Sequence, residues 1–403
     1  MVNLPADFVA ETRRIMGDER FNRFLGAFEE EAPVSVRVNM KRELSHLLTS
    51  SPTHLQQVPW CEEGFYLAER PQFTFDPLLH AGCYYVQEAS SMFVTHILRS
   101  LSHLLTFSPH VALDMCAAPG GKSTAMRSVL PEDCVLVSNE PMGNRAQILL
   151  ENITKWGALN CIVTNNYPRD FKKAKLKFDV ILCDVPCSGE GMFRKDPNAI
   201  NEWSMQNVEK CWQLQREIVA DAWECLNPGG LFIYSTCTYN TKENEENIRW
   251  ILDNFDAEVL DIPVDPSWNI TGSLLAGFDA PVYRFIPGIT RGEGLFACAL
   301  RKAGSAEPKP FNAKKLSLKV LEAELEKSET SVDVDYTEAL KYLRGEAMVL
   351  PPDTPKGIVT ITYKGQPLGP AKNIGNRANN LYPKAWRIKS THLPSAPVEI
   401  INV

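Results

Sequence analysis

Between His110 and Arg301 short apolar runs rich in β-formers alternate with longer amphipathic stretches, and that alternation restricts the chain to a parallel sheet wound with helices. The runs predict strands at 111 to 117, 134 to 140, 160 to 164, 178 to 185, 230 to 237 and 295 to 301. Helices are predicted between them at 121 to 130, 143 to 156, 205 to 226 and 242 to 254, the third ended by the Asn227-Pro228-Gly229-Gly230 turn. The expected fold is α/β, a doubly wound and mostly parallel seven-stranded sheet. Residues 109 to 303 would form it. Before it, residues 1 to 108 read as an α-rich extension, and after it residues 304 to 403 as a linker, a charged helical stretch from 316 to 348 and a small β-rich module. In that module GIVTITYKGQPLG predicts a hairpin turning at Lys364-Gly365.

A chain of 403 residues, 44% hydrophobic, buries a core without difficulty and divides naturally into two or three units. No run reaches the length of a membrane span, and the first residues lack a basic-then-apolar leader, so a cytoplasmic protein away from membranes is expected. The eleven cysteines are scattered without a Cys-x-x-Cys pair, which fits buried thiols and predicts no required metal. A net charge of -7 argues against a phosphate-binding surface over the whole chain. From Arg301 onward, however, 16 Lys and Arg face 11 Asp and Glu, so the basic part is the tail. A solvated charged face would have the same composition.

Open parallel sheets bind ligands outside the carboxyl ends of their strands. The first end is Cys116-Ala117-Ala118-Pro119-Gly120-Gly121-Lys122, where small residues let backbone approach a ligand and the following helix offers unpaired N–H groups. It is not a phosphate-binding P-loop, because Cys116 stands where the first glycine is needed, and no Gly-x-Gly-x-x-Gly dinucleotide fingerprint is present. The second strand ends in Glu140, placed to accept hydrogen bonds from both hydroxyls of a ribose, or simply to cap a helix. Together these favour an adenosine ligand without a pyrophosphate, for which S-adenosylmethionine is the candidate cofactor.

Strand four runs into Asp184-Val185-Pro186-Cys187 and strand five ends in Ser235-Thr236-Cys237, so two thiols face one crevice. A single cysteine is ordinarily core packing. Two at adjacent strand ends beside an acid point instead to covalent catalysis. Cytosine C5 becomes nucleophilic only after something adds at C6, and a thiolate suits a reversible addition. Asp184 would hold the cytosine N3 and N4 edge.

CAAPGGK at 116 to 122, DVPCSGEGMFRKDP at 184 to 197 and STCTYNTKENEENI at 235 to 248 resemble, in order, the methionine-binding loop, proline-cysteine motif and threonine-cysteine motif of the RsmF/YebU-like RNA cytosine-5 methyltransferases, in the wider Sun-like family. The resemblance covers nearly the whole chain. It implies a Rossmann-like methyltransferase domain, Cys237 as the nucleophile at C6 and Cys187 as the residue assisting release. The family usually carries an aspartate at the adenine after the third strand. Here Tyr167 stands in its place, which passes that contact to Asn166 or Tyr167. Gln87 and Ser91 resemble the family's bridge over the site, although a helix-starting role fits them equally.

The segments around Lys372, Arg377 and Lys384 interleave basic and aromatic residues and resemble the family's PUA-like RNA-binding module. Arg194 and Lys195 are candidates for phosphates flanking the target, or for solvated loop charges. The expected partner is structured rRNA, by resemblance that of the small subunit, or a ribosomal subunit, gripped by this module and by the RNA-binding amino-terminal extension, residues 1 to 108, of a monomer. The rival readings are a non-catalytic ribosome-assembly factor and a DNA cytosine-5 methyltransferase, which typically takes its nucleophile from a proline-cysteine motif.

Overall fold

The computed structural model describes residues 3–42, 55–104, 110–305, 311, 317–323, 325–326, 328–390, 392–394, 396–398 and 400. Parts of the stretches read above as linker, and residue 316, lie outside them. In the amino-terminal part come α1 (Ala6–Met16), α2 (Asp18–Gly26), β1 (Val34–Val38), β2 (Gln56–Val58), β3 (Cys61–Leu67), α3 (Pro77–His80), β4 (Tyr84–Val86) and α4 (Phe93–Leu101). The central part holds β5 (Val111–Asp114), α5 (Gly121–Val129), β6 (Val135–Asn139), α6 (Gly143–Trp156), β7 (Cys161–Thr164), α7 (Pro168–Lys173), β8 (Phe178–Asp184), α8 (Pro197–Glu202), α9 (Met205–Cys225), β9 (Leu226–Thr236), α10 (Glu245–Asn254), β10 (Ala257–Leu260), β11 (Tyr283–Phe285) and β12 (Leu295–Lys302). The carboxy-terminal part adds β13 (Val320–Leu321), β14 (Ser331–Val334), α11 (Tyr336–Arg344), β15 (Gly357–Tyr363), β16 (Gln366–Asn373) and β17 (Ala378–Asn380).

Seven strands run in the order β10-β12-β9-β8-β5-β6-β7, the five from β9 to β7 parallel and β12 antiparallel to β9. β11 adds to β12 and β13 to the far edge, so among the described residues two short strands extend the expected seven to nine. The additions are two or three residues long, too short for a period to register. Side chains alternate between faces, sending Ala112, Leu136, Leu182 and Ile233 into one apolar layer and Leu113, Val137, Ile181 and Phe232 into the other. Strand order reverses between β5 and β8, which puts the switch point beside the ends of Asp114 and Asp184.

The amino-terminal extension carries helices α1 to α4 and, between them, strands that the sequence reading did not name. It contains a four-stranded antiparallel sheet, β2-β3-β1-β4. β1 shows why: in Val-Ser-Val-Arg-Val, Val36 and Val38 pack into a core with Leu340, Tyr342 and Ile361 of the carboxy-terminal part, while Ser35 and Arg37 bond to Gln87 and Thr124. One face serves the tail module and the other the first turn of α5. Among its described residues, the stretch expected to be helical from 316 to 348 is helical over α11 alone. Ser331-Val332-Asp333-Val334 alternates like a strand and pairs in parallel with β15. The β15–β16 hairpin turns as expected, with Lys364 and Gly365 both at positive φ. Among the described residues no helix is long and apolar enough to cross a membrane.

Candidate active site

The loop after β5 carries Cys116 through Lys122 around the start of α5. Gly120, at φ 116°, takes a conformation open to glycine, and a Cβ on it would lie 3.3 Å from Leu149 Cδ1 of α6. Behind Gly121 stand Tyr85 and Gln87 of the amino-terminal part. Arg37, buried, donates from Nε to Gln87 Oε1 and from Nη2 to Thr124 Oγ1, tying that part to the first turn of α5. Ala118 O and Pro119 O accept from Arg145 and Asn152, so the loop is braced by its own carbonyls. Cys116 lies beneath, its thiol pushed well up by burial, then by Asp114 and Asp184.

Two buried carboxylates end the first two strands with an oxygen still to fill. Glu140 accepts from Met142 N on Oε1, while its Oε2 meets Arg145 Nη1 at 3.3 Å but receives no hydrogen bond. Asp114 accepts from Ser123 Oγ at 2.6 Å on Oδ2 and has no donor on Oδ1. Burial pushes Asp114 up to about 7. A buried acceptor without a donor is costly, and a ligand bringing hydroxyl or ammonium protons satisfies it. Beyond β7, Asn166 is committed on its amide to the Lys319 backbone, donating to its carbonyl and accepting from its N–H, whereas Tyr167 is 52% exposed. Gln87 donates to Ser91 Oγ at 3.1 Å, and both sit at the entrance to α4.

At the β8 and β9 ends the Sγ atoms of Cys187 and Cys237 are 3.2 Å apart, both half-buried and neither in a disulfide. Contact with Cys237, followed by burial, pushes the Cys187 thiol well up. Asp184 receives Lys122 Nζ at 2.8 Å and Ser235 Oγ at 2.7 Å, one on each oxygen. Burial works against the Lys122 ammonium, but Asp184 outweighs it and Cys237 adds to the effect, so the lysine stays charged above its usual range. Lys122 therefore joins the start of α5 to the end of β8 through Asp184. Among the described residues no group of His, Cys, Asp or Glu is arranged to hold a metal ion.

Ser235, Glu190, Asn240 and Glu243 escaped the sequence reading. Spacing shows that they flank the cysteines, but their hydrogen bonds cross between loops about fifty residues apart. Arg194 is a correction. Its side chain is 6% exposed and paired with Glu293 at 3.2 Å, with a further bond to Glu30 O, so it is no solvated loop charge and its guanidinium is committed within the protein. Lys195, Lys372, Arg377 and Lys384 are exposed.

Three family models tile the chain. The model described as 16S rRNA methyltransferase RsmB/F matches residues 104–301, the N-terminal domain of 16S rRNA methyltransferase RsmF matches 4–89, and the methyltransferase RsmF PUA domain matches 329–388. The chain is 35% identical over 318 residues to ribosomal RNA small subunit methyltransferase F of Pectobacterium atrosepticum, covering 76% of this chain and 64% of that one. It is 32% identical to the protein of that name from Erwinia tasmaniensis, covering 77% and 66%. The chain therefore spans just under two thirds of the length of these relatives. Among solved structures, a methyltransferase homolog protein from Pyrococcus horikoshii superposes with a TM-score of 0.60 at 28% identity, over 74% of this chain and 100% of the other. NSun6 from the same organism shares the fold, with a TM-score of 0.60 at 20% identity over 75% and 99%. With its strand order, its three motifs and these matches together, the chain belongs to the RsmB/F methyltransferase family, in its RsmF-like group.

Proposed function

We propose that this protein transfers a methyl group from S-adenosylmethionine to C5 of a cytosine in structured rRNA, that of the small subunit, through a covalent bond from Cys237 to C6. The observation that carries the reading is the pair of thiols 3.2 Å apart beside the Lys122–Asp184–Ser235 cluster. S-adenosylmethionine, when bound, supplies an electrophilic methyl group. Glu140 and Asp114, each with an unfilled acceptor, fit its ribose and its ammonium, and the 116–122 backbone fits its methionine part. Asn166 and Tyr167 border the adenine end.

The residues then divide the work. Cys237 adds to C6 as the thiolate, forming the C6–Sγ bond and pushing electrons toward C5. Asp184 accepts from the N4 amino group, and the Lys122 ammonium held against it offsets the negative charge that builds on the ring, while Ser235 fixes the carboxylate. After methylation the C5 proton passes to water, the C5–C6 double bond re-forms, and the C6–Sγ bond breaks with its electrons returning to Cys237. Cys187, held as a thiol by its neighbour, donates a hydrogen bond to the departing sulfur. The exposed Lys372, Arg377 and Lys384 of the PUA-like module, with the exposed Lys195, contact RNA phosphates.

The test is Cys187→Ala and Cys237→Ala, each incubated with rRNA and S-adenosylmethionine and run on a denaturing gel. An adduct with the first and none with the second is expected, and the trapped RNA names the cytosine. Absence of an adduct and of methyl transfer by the unaltered chain would leave an RNA-binding assembly factor as the reading.

A further inference from the structure

Two buried carboxylates grip the loops that carry the thiols, each reaching across to the other loop. Glu190, three residues after Cys187, accepts on Oε2 from Tyr239 N at 2.7 Å and Asn240 N at 3.0 Å, just past Cys237. Glu243, six residues after Cys237, accepts on Oε2 from Ser188 N at 3.0 Å, the residue next to Cys187. The same Oε2 accepts from Gln215 Nε2 at 2.7 Å, and that amide also donates to Pro186 O at 2.9 Å. Glu243 and Gln215 therefore hold the chain immediately before and after Cys187. Asn240 Nδ2 spans the two acids, donating to Glu190 Oε1 at 3.0 Å and Glu243 Oε1 at 2.8 Å. Ser188 Oγ and Thr238 Oγ1, beside either cysteine, are 3.0 Å apart.

Every donor named here is neutral, and Glu190 and Glu243 are 2% and 0% exposed. Two like charges buried together are expensive, and a neutral amide in either place would spare that cost. What an amide cannot do is accept on both oxygens. Each acid takes three or four hydrogen bonds as an acceptor only, which fixes the loop backbone in both directions.

We propose that Glu243, with Gln215, is the positioning residue that sets Cys187 for product release, and that Glu190 sets Cys237 for attack. The proposal rests on the covalent reading above. It predicts opposite defects from neighbouring acids. Glu243→Gln puts an N–H against either the Ser188 and Gln215 donors or the Asn240 donor, so Cys187 shifts while the Glu190 grip on the Cys237 loop remains. Attack and methylation then proceed, and release stalls.

The full chain is tested with rRNA and S-adenosylmethionine, alongside Cys187→Ala. Glu243→Gln is expected to accumulate the denaturant-stable adduct as Cys187→Ala does, with multiple turnover lowered about a hundredfold by an ångström-scale misplacement. Glu190→Gln is expected to form little adduct and to lose single-turnover methylation. General loosening of the fold would instead lower adduct and turnover together in both variants, which overturns the assignment, as would release by Glu243→Gln at the unaltered rate. If Glu243→Gln does not fold, Gln215→Met removes the Pro186 contact, keeps the carboxylate and gives the same reading. An adduct with Cys187→Ala but with neither of these variants sinks this proposal alone. None with Cys187→Ala sinks the covalent mechanism first.

Discussion

At the β5 and β6 ends the crevice is shaped by backbone, with glycines, a braced loop and two acids left open toward a ligand, whereas at the β8 and β9 ends it is shaped by buried side chains bonded to one another. On the proposed reading the first half receives a group that comes and goes. The second is built to keep two sulfur atoms in register. If the halves are independent, damage in one should leave the other's measured property almost unchanged. Asp184→Asn tests this hardest. It unbalances Lys122 and removes the acceptor at the cytosine edge, so single-turnover methyl transfer should fall about a thousandfold while cofactor affinity moves little. A cofactor dissociation constant that rises in step with the loss of turnover would show that the halves are one unit.

Glu140→Gln is the converse. Loss of a charged acceptor to a ribose hydroxyl is expected to weaken cofactor binding about tenfold to a hundredfold in calorimetry, with turnover at saturating cofactor nearly preserved. Reduced turnover at saturation would place Glu140 in the chemistry.

Each half also contains an acid whose burial raises its pKa to about 7, Asp114 in the first and Glu243 in the second, where Glu190 contributes after burial. Glu293, behind Arg194, behaves alike, with burial raising and Arg194 opposing. Between the ordinary carboxylate range near about 4 and about 7, the folded chain holds protons that the unfolded chain has released. These three groups therefore make stability fall as pH rises through that window and level off above it. Denaturant midpoints measured from about pH 5 to about pH 8 should show the decline, and Glu243→Gln should flatten part of it. A midpoint that climbs over that range would mean that the acids are ionised throughout.

The legibility of the two halves in the sequence differs for the same reason. The six strands and the Gly-rich loop are local: apolar runs, turn residues and a strand end declare themselves within ten residues. Glu140, Asp184 and both cysteines were readable because a strand end implies a position. What failed was everything decided by a distant partner. Arg194 looks like a free cation until Glu293, 99 residues on, is brought beside it. β13 has only two residues and exists because β7 offers an edge. The amino-terminal sheet was missed because its strands are interrupted and its apolar face is completed by residues beyond 330. Glu190 and Glu243 look like surface charge in a hydrophilic run, and only the fold turns them inward.

That shared core determines how the smallest expected effect must be measured. Removing residues 304 to 403 would strip Leu340, Tyr342 and Ile361 from Val36 and Val38, so a truncated chain would lose part of the amino-terminal core along with any RNA contact. Single charges are the cleaner probe. Lys372 and Arg377 lie exposed on and just after β16, where their loss costs no packing. Lys372→Gln and Arg377→Gln should each weaken rRNA binding a few-fold and lower the slope of log affinity against log salt by about 1, with cofactor binding and the adduct of Cys187→Ala unchanged. An unchanged salt slope in both would mean that the tail's positive charge is a solvated face, and that rRNA is gripped by the amino-terminal part and Lys195 instead.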